Sequence, residues 1–155
     1  MTTLQIIIRK IVVHFSKPIW SFIRNCVFWL FRLNRIGEVR KSMSEIKGIS
    51  VSSLMREFHW QEDKIGDWTQ WVSTLTYNGF KGDCEDAAAL AKWWFKQNGI
   101  EAEILNLYSD KSGHAVCVTK DRETMVTNER VVSLNPACWE KEMLEYFGNK
   151  YTVII

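Results

Sequence analysis

Gly82-Asp83-Cys84-Glu85-Asp86-Ala87-Ala88-Ala89-Leu90-Ala91-Lys92-Trp93-Trp94-Phe95-Lys96-Gln97-Asn98-Gly99 is the stretch from which the rest of this 155-residue chain can be read. Ala87, Leu90, Ala91, Trp94 and Phe95 recur at helical spacing on one face, which predicts a helix from Asp83 to Asn98. Acidic residues crowd its first turn, where they meet the positive end of the helix dipole, and Asn98-Gly99 supplies the stop. Two runs of alternating polarity follow, Glu101 to Tyr108 and His114 to Lys120, with a polar turn at 109–113 between them. Thr124 to Thr127 and Tyr151 to Ile155 read as further short strands. A helix followed by antiparallel strands is an α+β pattern.

Upstream of the helix the pattern is less regular. A helical start is expected near Ser53, then the aromatic stretch Phe58-His59-Trp60 and Gly66-Asp67-Trp68. Residues 36–50, with Gly37, Ser42, Ser44, Gly48 and Ser50, read as a polar linker. Before it, Ile19, Phe22, Ile23, Cys26, Val27, Leu30 and Leu33 form an apolar stripe, and Ser21, Arg24, Asn25 and Arg32 gather opposite. Ile19 to Leu33 is therefore predicted as an amphipathic helix. Leu4 to Phe15 is apolar and fits strand or helix; Arg9, Lys10, Lys17 and Arg24 interrupt it and the following segment too often for a conventional spanning helix or a secretory signal. The expected division is a helical arm and linker over 1–49 and a compact domain over 50–155.

Charge follows the same division. Residues 1–47 hold nine Lys or Arg against two acids, a net +7, whereas the remainder holds 11 basic and 16 acidic residues, a net −5. Two readings of the arm stay open: a helix packed on this domain or on a partner subunit, and an interfacial membrane helix with Trp20 and Trp29 at headgroup level. Specific nucleic-acid contact is not expected, because the aromatics sit within the apolar stripe. The arm is expected to decide location and to be dispensable for chemistry. With 46% hydrophobic and 25% charged residues, the chain is of ordinary globular composition and not disordered. Its four cysteines, Cys26, Cys84, Cys117 and Cys138, form no CxxC pair or cluster, so neither a zinc site nor a disulfide scaffold is expected. Nothing calls for a metal or an organic cofactor.

The chemistry gathers at the start of the predicted helix. Unpaired N–H groups and the dipole favour a thiolate at Cys84, the nucleophilic form of cysteine. His114 follows 30 positions later at the head of a strand, where an imidazole can take the thiol proton. A third group should orient that imidazole. Asn128, 14 positions further, is the first candidate, with Asn135 and Asp121 as competitors. Glu85 and Asp86 read as anchors for the helix and neighbouring loops.

Gly82-Asp83-Cys84-Glu85-Asp86-Ala87-Ala88, then Asn98-Gly99-Ile100-Glu101-Ala102, Gly113-His114-Ala115-Val116 and Val126-Thr127-Asn128 resemble the bacterial and phage transglutaminase-like cysteine peptidase family of the papain-like superfamily. Gly66-Asp67-Trp68 resembles a lead-in of that family, and the similarity spans roughly residues 58–135. The resemblance implies a papain-like core, with the Cys-bearing helix packed on a small antiparallel sheet that carries His114. It implies Cys84, His114 and Asn128 as catalytic residues acting on a protein or peptide substrate through a thioester. The family pattern lets either Thr127 or Asn128 take the third position; equivalence with Thr127 implies a poorly oriented imidazole. Cys84 N–H is one expected oxyanion donor, and Asn78 or Trp68 a second. The alternative is a catalytically silent domain of the same fold, an interaction module in a viral particle or membrane-associated assembly. The expected locations are accordingly the cytoplasm, a membrane surface or a phage virion.

Overall fold

The computed structural model describes residues 17–62, 69–110 and 112–154. Along the chain these form α1 (Lys17–Leu30), a 3-10 turn (Leu33–Arg35), α2 (Ile36–Lys47), α3 (Val51–Arg56), β1 (His59–Trp60), α4 (Val72–Tyr77) and β2 (Lys81–Gly82). They continue as α5 (Cys84–Gln97), β3 (Ala102–Tyr108), β4 (Gly113–Thr119), β5 (Thr124–Thr127), β6 (Arg130–Ser133), α6 (Trp139–Tyr146) and β7 (Val153–Ile154). The class is α+β. Gly66, Asp67, Trp68 and the run Leu4 to Phe15 lie outside the described residues.

One antiparallel sheet, in the order β6-β5-β4-β3-β7, organises the molecule, and β1 and β2 form a separate parallel pair. Period-two alternation divides the side chains of β4 between two cores. Ala115 and Cys117, with Val126 of β5, pack among Ala87, Leu90, Ala91 and Phe95 of α5. Val116 and Val118, with Leu107 and Met125, pack with Met143 of α6 and Tyr151. Alanines at the helix–sheet contact let α5 approach closely. β3 and β4 run in full register from Ala102↔Thr119 to Tyr108↔Gly113. A Cβ at Gly113 would stand 2.9 Å from the Tyr108 ring, so glycine leaves room for this pairing.

One expectation needs correction. Residues 36–47 are helix, not linker: Val39 is buried, Ile46 packs against the α5 core and Met43 lines a hollow beside α1. Their i, i+4, i+7 spacing outweighs the scattered Gly and Ser. The two open readings of the arm left the direction of its apolar stripe undecided, and α1 sits with its polar side inward. Ser21, Asn25 and Trp29 are buried, while Ile19, Trp20 and Phe22 are each 58–62% exposed. Asn25 explains the orientation. Fully buried, it donates to the backbone oxygens of Ser21 (2.7 Å) and Thr69 (3.0 Å), and accepts from Trp71 N–H (2.8 Å) and the Thr74 hydroxyl (2.7 Å). Ser21 accepts from Thr69 N–H at 2.9 Å, and Trp29 Nε1–H donates to Thr74 at 3.1 Å. Burying a polar side chain is tolerated here because its hydrogen bonds are made.

Candidate active site

Asp83 caps α5 and thereby sets Cys84 as its first residue. The Asp83 carboxylate accepts from the N–H groups of Glu85 (2.9 Å) and Asp86 (3.3 Å), while Asp86 reaches back to Asp83 N–H, completing a capping box. Asp86 is fully buried and does more than cap. It accepts from Gln70 N–H (2.6 Å) and Gln70 Nε2–H (2.7 Å), and Gln70 in turn donates to the Lys81 carbonyl at 3.0 Å. Glu85 accepts from Lys17 and from the Thr69 hydroxyl (3.1 Å), so the residue after Cys84 is tied to α1. Both acids act as anchors, and the packing is continuous across the boundary drawn at residue 50. A Cβ on Gly82 would stand 2.6 Å from Asp86 Cβ and 2.8 Å from its Cγ; only glycine lets β2 pass this close.

His114 enters from β4 on the side of the sheet turned to α6, opposite Ala115 and Cys117. Its ring makes an edge contact with Phe147 and stacks against Tyr151, with centroids at 5.1 and 6.1 Å. Nε2 is 2.7 Å from Thr127 Oγ1. The hydrogen-bonded neighbour of the imidazole is thus Thr127 and not Asn128, because residues 125 and 127 share the face that His114 uses and 126 turns the other way. Burial pushes the His114 pKa down to about 4, and the nearby Lys150 ammonium adds to that shift. The imidazole is neutral at pH 7.

A polar cleft of about 440 Å³ opens beside this pair. His114, Thr127, Asn128 and Arg130 line it on the sheet side, Tyr146, Phe147 and Tyr151 beyond, and Trp60 forms part of its wall. Trp60 pairs with Gly82, and Gln61 N–H donates to the Gly82 carbonyl at 2.7 Å. The parallel β1–β2 pair therefore joins one wall residue of the cleft, Trp60, to the peptide that precedes Cys84, while Cys84 does not line the cleft. Cys84 itself is half-buried at the edge of the α5 core. A larger hollow of about 570 Å³ beneath α1, walled by Phe22, Met43, Trp71 and Trp93, has no titratable lining residue among the described residues.

The remaining candidates fall as follows. Asn128 lies in the two-residue turn between β5 and β6 with φ 44°, a backbone that asparagine tolerates, and its buried Oδ1 makes no hydrogen bond among the described residues. Asn78 donates to Gln70 Oε1 at 2.7 Å, so its amide supports the Asp86 network. Trp68 lies outside the described residues. Asp121 accepts from Thr119 (2.6 Å) and Glu123 N–H (3.0 Å), and Asn135 accepts from Ala137 N–H (3.0 Å); both serve turns. Sequence reasoning missed Gln70, Trp60 and Tyr151, whose roles arise from contacts across the chain. Among the described residues no group of three or more His, Cys, Asp or Glu could hold a metal ion. No family model, curated protein or solved structure matches this chain.

Proposed function

We propose that the domain is a transglutaminase-like thiol acyl-transfer enzyme, with Cys84 as nucleophile, His114 as base and Thr127 as the group that holds the imidazole. The observation carrying this reading is the His114–Thr127 hydrogen bond at a cleft whose wall residue Trp60 pairs with Gly82, two residues before Cys84. With Nε2–H given to Thr127, the lone pair on Nδ1 is the acceptor for the Cys84 thiol proton. The thiolate then attacks the carbonyl carbon of a peptide or carboxamide, and the C–N bond breaks as the imidazolium returns the proton to the leaving amine. Water or a second amine resolves the thioester. The positive end of α5 faces the charge that develops on oxygen.

A silent binding module on the same frame is the second reading, and a specific observation favours it. A hydroxyl at Thr127 orients the imidazole but gives the imidazolium no counter-charge, while burial holds it neutral. Alkylation rates at neutral pH, resolved by mass spectrometry for each cysteine, test the proposal. Cys84 should react fastest; Cys117, whose buried thiol is pushed up to about 12, should be inert. His114→Ala should slow Cys84 by roughly 10²–10⁴ if the imidazole acts as its base. Thr127→Asp should accelerate both alkylation and amide hydrolysis, and Asn128→Ala should change them little. Cys84 reacting as slowly as Cys138, with no response to His114→Ala, would establish the binding module instead.

A further inference from the structure

The outward side of α1 is an amphipathic helix turned inside out. Ile19, Trp20, Ile23, Val27, Leu30 and Phe31 are all 44–77% exposed. The helix cannot roll to hide them, because the buried hydrogen bonds of Ser21, Asn25 and Trp29 fix its other side to residues 69–74. A contiguous exposed apolar face of this kind marks an interaction surface. Charge indicates which kind. No acidic residue lies between Ile19 and Gly37, Arg40, Lys41 and Lys47 are exposed on α2, and residues 1–47 carry a net +7. Two copies meeting through this face would bring like charge against like charge, whereas an anionic surface answers it. The α1 helix, about 21 Å long at 1.5 Å per residue, is shorter than the ~30 Å hydrocarbon layer. No described helix is long and apolar enough to cross a membrane.

We propose that α1 docks this protein in the plane of an anionic lipid bilayer, its apolar face in the headgroup–acyl boundary and the basic residues of α2 against lipid charge. The docking does not depend on whether Cys84 is reactive. The test is flotation of the full chain with phosphatidylcholine vesicles, with and without phosphatidylserine, alongside the double variant Ile23→Ser, Val27→Ser and the double variant Arg40→Glu, Lys41→Glu. Both pairs are exposed, so circular dichroism and urea midpoints should match the parent chain. The parent should float with phosphatidylserine vesicles and less as salt rises. The serine variant should lose flotation at least tenfold, and the glutamate variant should lose the phosphatidylserine preference. Flotation unchanged in the serine variant would overturn the assignment to α1. Sedimentation of the parent chain as a dimer that the serine substitutions disperse, without vesicle binding, would assign the face to a second copy and overturn the proposal equally.

Discussion

Asn25→Ala tests whether α1 belongs to the fold. The substitution strands Trp71 N–H and the Thr69 carbonyl, which Asn25 satisfies at 2.8 and 3.0 Å. Thr74 keeps its bond from Trp29, so its loss is smaller. An unsatisfied buried group costs about 1–3 kcal/mol, and because these two are partly buried water recovers some of the loss, so together they give roughly 2–3 kcal/mol. Against a typical total of about 5–15 kcal/mol this is a large fraction. The assay is urea unfolding followed by tryptophan fluorescence, with Ile23→Ser as the control. Ile23 lies on the outward face of the same helix turn and should change stability by less than about 0.5 kcal/mol. A drop in m for Asn25→Ala would show α1 detaching before the rest of the domain. A loss below about 1 kcal/mol with m unchanged, or an Ile23→Ser loss as large as that of Asn25→Ala, would refute the inward-polar orientation.

Two further expectations follow from the site. Gly82→Ala should destabilise by about 2–4 kcal/mol, because its methyl must displace a carboxylate held by Gln70; a thermal midpoint equal to the parent's would contradict that packing. For His114 the folded pKa lies near 4 and the ordinary value is 6.5, so the unfolded chain binds the extra proton first as pH falls. Its contribution is fully present above pH 6.5 and is lost on the way down to 4, about 2 kcal/mol of it between pH 7 and 5. His114→Asn should flatten the pH dependence of the urea midpoint by that amount; an unchanged slope would mean the imidazole is not desolvated.

Much of the domain was legible because its signals are local. α5 was placed within one residue at each end, since its capping acid, apolar face and Asn-Gly stop all lie within the helix or next to it. The β3, β4 and β5 runs were equally readable from alternation. Position 127 was open in the sequence, because one step along a strand reverses the side chain and only the register to β4 decides which residue meets His114. The orientation of α1 was beyond sequence reasoning for a different cause. An apolar stripe normally points inward, and only the hydrogen-bond needs of residues 69–74, some 45 positions away, reverse it here. The β1–β2 pair and α6 were missed because each is short and owes its existence to long-range packing.

The separation in sequence between α1 and its dock has a consequence for synthesis. Asn25 must wait for Thr69 and Trp71, and Lys17 for Glu85, 68 positions later. At translation rates of about 5–20 residues per second, the first helix waits on the order of 3–14 seconds before its final tether can form. Throughout that interval the hydrogen bonds that tie Asn25 to residues 69–74 are not yet made, and Ile19, Trp20, Ile23 and Val27 remain exposed even in the finished fold. The order of emergence thus lets the helix meet a surface while still part of a nascent chain, with the remainder of the domain assembling afterwards around a segment already in place.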